Sequence, residues 1–433
     1  MSNEQGSIGT APIGPDTIHR FTLSNGIRLL VFENNTTASA VINGYLWAGG
    51  VNDPLDRLGL SAFTAASLMR GTTTRSFQGI HEVLESVAAT VFFSGGRHLV
   101  GFAGKSLAED FSLVLDVFAD VLLQPVFPVA ELETIRGHSI TALKELEDDT
   151  RGLANREFRR LLFSEDHPYG RPISGTLETV PEISRQDVLE FYDTYYSPSD
   201  AVIVVVGAIP APRVYEAMEA RLGCWRPASK LIPGKVPVIE PLTGQRQQVL
   251  TRNNKTQADI VLGTLGPSRR SPDYYAAWVG NVILGQLGLM GRLGHNVRDR
   301  LGLAYYAYSR LEARLGAGPW DVHAGVSPDK VKLAVESILF EIQRLQEELV
   351  SDEELEDSQN YLVGSLPLRL ETNEGIAGNL ANMELYNLGD DYLDRYPELI
   401  GSVTKEQIRA AAMKYLDTDV YALAVAGPYE EAE

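Results

Sequence analysis

Cysteine is nearly absent from the 433 residues: the one thiol, Cys224, excludes an intrachain disulfide, so nothing in the chain requires an oxidising compartment and a cytoplasmic location is the expectation. Positive charge is also scarce. Lys and Arg number 38 against 57 Asp and Glu, a net charge of -19, and no basic face is segregated along the chain, which argues against a nucleic-acid binder. No apolar run reaches the length of a membrane span. Met1 to Pro15 has neither a basic n-region nor an apolar h-region, so residues 1–17 read as a disordered tail rather than a signal peptide. The seven histidines (His19, His81, His98, His138, His167, His295 and His323) never fall three or four residues apart, so no helical face offers an imidazole pair to a metal.

What remains is an ordinary globular composition, with 44% hydrophobic and 22% charged residues. Its most informative feature is a repeat. Ile183 to Tyr195 followed by the apolar run Ala201 to Gly207 has a counterpart 220 residues later, Val403 to Tyr415 followed by Tyr421 to Gly427. Each copy reads as a Ser- or Thr-capped helix with an acid or amide near its third position, then a short strand ending in Gly. Leu115, Phe118, Ala119 and Leu122 match Val335, Ile338, Leu339 and Ile342 at the same offset, and both sets have the spacing of a buried helix face. Between the copies, Trp225 to Gly244 carries four prolines and two glycines, a linker composition. These patterns predict an α+β protein of two homologous domains, 18–224 and 245–433, joined by the linker 225–244, each a mostly antiparallel sheet packed with helices.

The stretch Gly59-Leu-Ser-Ala-Phe-Thr-Ala-Ala-Ser-Leu-Met-Arg-Gly-Thr72 resembles the active-site helix of the inverted zinc peptidases, the superfamily of insulinase, pitrilysin and mitochondrial processing peptidase, which carry H-x-x-E-H at this point. The resemblance places Ala62 and Ala66 at the two histidine positions and Ala65 at the glutamate position. Alanine can neither ligate zinc nor activate water, yet it is the best helix former, so the helix can outlive its site. The family's third ligand, a glutamate on a later helix, falls near Ala142 and Leu143. Glu145 and Glu147 lie close by and are assigned to a solvated helix face. The resemblance therefore implies no cofactor in this chain.

A second segment, Asn281 to Tyr305, is similar to the family's C-terminal domain pattern: a Gly-rich turn, a helix with Arg-Leu, then Val-Arg-x-x-x-Gly-Leu-Ala-Tyr. In catalytic members an Arg and a Tyr seven apart reach the zinc site of the other domain, and Arg298 and Tyr305 hold those positions here. Chemically, an arginine fork suits a substrate backbone and a tyrosine hydroxyl can donate to an oxyanion. The competing reading is an Arg paired with a nearby acid and a Tyr filling a strand face. Lys255 to Gly263 resembles the opening strand of the second domain, and His167 to Thr176 the loop after the ligand-bearing helix. Leu84 to Arg97 corresponds to the family's edge strand, where an extended peptide adds to the sheet, with Phe92 and Phe93 as candidate peptide contacts.

Taken together, the resemblance implies one half of a clamshell around a peptide chamber. The expected partner is a homologous zinc-bearing chain of similar length, to which Arg298 and Tyr305 are supplied in trans, and the expected substrate is an extended peptide. A scaffold of the same fold, including a homodimer, is the alternative. Neither nucleic acid nor membrane is an expected partner.

Overall fold

The computed structural model describes residues 12–164, 166–226, 238–286 and 291–429. Most of the expected tail and linker, and part of the Gly-rich turn, lie outside the described residues. The protein is α+β, with two sheets. In the first, strands β1 (Ile18–Thr22), β2 (Arg28–Glu33), β3 (Ser39–Leu46), β4 (Thr90–Gly95), β5 (Val100–Leu107) and β6 (Val202–Gly207) take the order β1-β2-β6-β3-β5-β4. In the second, β7 (Arg246–Thr251), β8 (Ala258–Leu265), β9 (Ala304–Leu311), β10 (Pro319–Val326) and β11 (Ala422–Gly427) take the order β7-β11-β8-β10-β9. Apart from β1, the sheets share one wiring. Each has a single parallel pair, β2 with β6 and β7 with β11, and antiparallel neighbours elsewhere. The segment expected to open the second domain forms β8, and β7 precedes it.

The helices α1 (Leu60–Ser67), α2 (Phe77–Ser86), α3 (Phe111–Leu123), α4 (Val129–Asp148), α5 (Thr150–Phe163), α6 (Arg185–Tyr195) and α7 (Ala211–Leu222) come from the first half. The second half supplies α8 (Tyr274–Asn281), α9 (Val331–Glu347), α10 (Asp352–Arg369), α11 (Asn373–Tyr386), α12 (Tyr392–Gly401) and α13 (Lys405–Tyr415). The repeat seen in the sequence starts α6 and α13 by the same device. Ser184 accepts from the Asp187 N–H while Asp187 accepts in return, and Thr404 and Gln407 do the same. Leu115, Phe118, Ala119 and Leu122 of α3 are all buried, each large one worth about 1.5–3 kcal/mol of apolar transfer. In α9 the match is partial: Ile338 and Ile342 are buried, Val335 and Leu339 only half-buried, and Ala334 and Leu345 complete the inward face.

The compact units are cut differently from the sequence halves. The first takes described residues within Met1–Thr141, Ile173–Lys235 and Leu366–Arg395, the second those within Ala142–Pro172, Val236–Ser365 and Tyr396–Glu433. Each sheet is thus covered by a helix from the other half: α11 packs on β3 and β6, and α5 packs on β7, β8 and β11. Polar clamps seat both helices. Buried Asn373 at the start of α11 accepts from Asn34 at 2.7 Å and donates to the Ser39 carbonyl at 3.0 Å. At the start of α5, Thr150 donates to the buried Asp259 carboxylate at 2.5 Å.

Candidate functional site

In the first unit the helix that resembles a zinc-peptidase helix is α1, and a carboxylate holds its start. Buried Asp53 accepts from the backbone N–H groups of Gly59 and Ser61, both at 2.9 Å, which satisfies two of the orphan donors that begin any helix. Gly59 enters the helix at φ +94, and a Cβ there would stand 2.9 Å from the backbone of Gly175, so only glycine fits. Along α1, Ala62 is half-buried, Ala65 is buried and Ala66 is exposed. Ala62 packs on the end of β4, where a Cβ on Gly95 would lie 2.6 Å from the Ala62 Cα. Gly95 and Asp53 set the position of this helix, and neither was picked out from the sequence. The Gly95-Gly96 pair closing a run of strand formers was the available signal.

A zinc ion does not fit this helix. Its three positions present methyl groups, and among the described residues no three His, Cys, Asp or Glu side chains cluster anywhere as a metal site. On α4, Ala142 is exposed and Leu143 buried. Of the nearby acids, Glu145 is exposed, while Glu147 is half-buried and pairs with Arg156 at 2.7 Å and Arg252 at 3.4 Å, so it is an ion-pair anchor rather than a freely solvated acid.

The strand β4 beside α1 lies at the edge of its sheet, with β5 as its one strand neighbour. Strand alternation separates the two candidate phenylalanines. Phe92 is 55% exposed, whereas Phe93 turns inward and stacks on Phe118 with ring centroids 5.6 Å apart. A side-chain contact with a docked peptide is therefore open to Phe92; Phe93 is a core residue.

In the second unit, Arg298 lies in a wide, π-type coil, Gly294–Arg300, and Tyr305 in the first turn-out of β9. Buried neighbours fix this segment. Asn296 donates to Glu341 at 2.5 Å, Val297 and Leu303 are in the core, and Arg292 makes a two-pronged bond to Glu354 at 2.6 and 2.9 Å. Burial pushes the Glu354 carboxyl up, but the Arg292 and Ser351 bonds outweigh it and hold the group below its ordinary range. Against this rigid background, Arg298 is exposed and Tyr305 is 83% exposed. Among the described residues neither side chain has a hydrogen-bond or ion-pair partner. The next tyrosine behaves in the opposite way: burial and its bond to Asp259 push the Tyr306 hydroxyl well up, and Arg151 lies over its ring at 3.9 Å. Tyr306 is structural. Arg298 and Tyr305 have no structural task that their contacts reveal.

Comparison with known proteins follows the same division. A family model described as Insulinase (Peptidase family M16) matches residues 29–176, and one described as Peptidase M16 inactive domain matches residues 182–362. The uncharacterized zinc protease YmxG of Bacillus subtilis is 27% identical over 412 residues, covering 95% of this chain and 98% of its own. The uncharacterized zinc protease SCO5738 of Streptomyces coelicolor is 25% identical over 426 residues, covering 97% of this chain and 92% of its own. Among solved structures, a peptidase M16 inactive domain from Pseudomonas fluorescens shares the fold, with a TM-score of 0.89 at 23% identity, covering 96% of this chain and 99% of that one.

Proposed function

The chain belongs to the insulinase family of peptidases, M16, and from that membership we propose that it is the zinc-free subunit of a two-chain metallopeptidase. In this reading it lends Arg298, Tyr305 and one half of a peptide-binding chamber to a homologous, zinc-bearing chain of similar length, and the complex works in the cytoplasm on extended peptides. The observation that carries the reading is the contrast within the molecule. The helix α1 offers three alanines where chemistry is needed, while Arg298 and Tyr305 stand exposed and, among the described residues, unpartnered on a segment anchored by buried residues. A scaffold has no use for such a pair. In the complex, the Arg298 fork would bind substrate carbonyls and the Tyr305 hydroxyl would donate to the oxyanion that forms during peptide cleavage.

The test uses the chain mixed with a homologous subunit that does carry H-x-x-E-H. Alone, the present chain should hydrolyse no peptide, and the mixture should exceed the partner by itself. Arg298→Ala and Tyr305→Phe should leave assembly and melting temperature unchanged while turnover falls about 10²- to 10³-fold, the usual effect of removing one oxyanion donor. Undiminished turnover in both variants would replace this reading with that of a scaffold, whether paired with a second chain or with itself.

A further inference from the structure

A pocket of about 480 Å³ opens in the first unit where the loop after α1 meets the start of α4, at a place that the peptidase reading does not use. Its volume is in the range of small-molecule sites. The walls combine an apolar floor, Phe77, Val126 and Pro128, with the guanidinium groups of Arg70 and Arg75 and a run of hydroxyls from Thr72 to Thr74 and Ser76.

The two arginines are held differently. Arg75 donates to Asp120 at 2.6 Å, and the same carboxylate takes bonds from Thr72 and Thr74, both at 2.7 Å. Burial pushes the Asp120 carboxyl up, but these three donors outweigh it and hold it ionised below its ordinary range. Arg75 is thereby neutralised and fixed as part of the wall. Arg70 is not. Its guanidinium carbon lies over the Phe77 ring at 4.5 Å from the centroid, a cation–π contact that restrains the group without using its N–H donors. Among the described residues no hydrogen bond engages them. Its nearest counter-ion is Glu131, at 3.5 Å, well beyond the 2.7–2.9 Å of a charge-assisted bond.

We propose that this pocket is a binding site for a small organic carboxylate carrying an apolar arm, with Arg70 as the carboxylate fork and Phe77, Val126 and Pro128 as the seat of the arm. A preoriented guanidinium with unused donors is the costly part of such a site, and stacking on Phe77 has already supplied it. Glu131 occupies the fork loosely as an internal stand-in and is displaced on binding. Arg75 is neutralised by Asp120, so Arg70 is the one positive group open to a ligand, with Glu131 as its competitor, and a singly charged ligand suits the site.

Calorimetric titration of the full chain with hippurate, a benzoylated glycine, tests the assignment, with hippuramide as the neutral control and inorganic phosphate as the alternative anion. Hippurate should bind and hippuramide should not. Arg70→Ala should weaken hippurate at least about tenfold, the worth of a hydrogen bond to a charged group. Glu131→Gln should tighten it up to about fivefold, because the competing carboxylate was a weak pair. Glutamine has nearly the shape of the glutamate it replaces in the first turn of α4, so the proposal is tested by Glu131→Gln even if Arg70→Ala fails to fold. Equal binding of the amide, no binding of hippurate, tighter binding of phosphate than of hippurate, or no tightening in Glu131→Gln would each overturn it.

Discussion

The two sheets share one wiring and differ in what lies under the helix that covers them. In the second unit, β10 and its neighbours place Asp321, His323 and Arg310 beneath α5. Asp321 is fully buried and accepts from Arg310 at 2.6 and 3.1 Å, and Arg310 also donates to Asn155 of α5 at 3.0 Å. His323 is buried alongside, 3.2 Å from Asp321, its ring stacked on Tyr308 at 4.9 Å. The matching positions of β5, 220 residues earlier, are Gly101 and Ala103. One strand order therefore tolerates either an ion network or almost no side chain at the same place. The order is set by backbone pairing and apolar alternation, whereas the layer between sheet and helix is free to vary.

The largest way to break this comparison is Asp321→Ala, which leaves Arg310 without its counter-ion in the interior. Removing one member of a buried pair costs about 3–5 kcal/mol, read as a large fall in melting temperature. The effect depends on pH. Burial pushes the Asp321 carboxyl up, but the His323 ring beside it and the bonds and charge of Arg310 outweigh it and hold it below its ordinary range. A depressed carboxyl stabilises the fold above its unfolded value of about 4 and loses that contribution as pH falls through the folded value. The gap in melting temperature between wild type and Asp321→Asn should therefore be full at pH 7 and narrow progressively below about pH 4.

Next in size is Gly95→Ala, which pushes a methyl against the backbone of α1. Overpacking of this kind costs about 1–3 kcal/mol, and denaturant melts would show it as a lower midpoint. Smaller still is Gly101→Asp, which writes the second unit's acid into the first. There is room, since the nearest atom to a Cβ is the Gly44 carbonyl oxygen at 4.0 Å, but no equivalent arginine. A half-buried unpaired carboxylate should cost about 1–2 kcal/mol. A neutral or stabilising result would show that the layer beneath α11 already holds a partner for it. At the small end, chelator treatment of the purified chain should leave its melting temperature unchanged, because the alanines of α1 hold no metal ligand. A chelator-sensitive melt traced to residues around α1 would contradict this.

Local features were legible in the sequence because their physics is local. The reciprocal caps at Ser184 and Thr404 need only residues three apart, and the buried face of α3 needs only a period. That Ala62, Ala65 and Ala66 carry no metal-binding side chain is a matter of residue type. The positions of Arg298 and Tyr305 were legible through a motif, but their freedom from partners was not: that depends on Asn296, Val297 and Leu303 taking the inward places, and on Glu341 arriving from α9. The expectation that both Phe92 and Phe93 could touch a peptide failed on strand alternation, which needs the core side of the sheet to be known before it can choose between neighbours.

By itself, then, the sequence determined an α+β chain built from two related halves, a helix with alanines at Ala62, Ala65 and Ala66, and the positions of Arg298 and Tyr305 in a second motif. Tertiary structure alone decided which sheet each helix covers. A repeat identifies segments that share a fold pattern, but α5 and α11 each have an apolar face that either sheet could bury, and the choice lies in pairings such as Thr150 with Asp259 and Asn373 with Asn34 that join residues far apart in the chain. The same holds for Gly95 under Ala62 and for Arg70 over Phe77. Close approach and stacking are properties of distance, and distance between remote residues is fixed only when the backbone has folded.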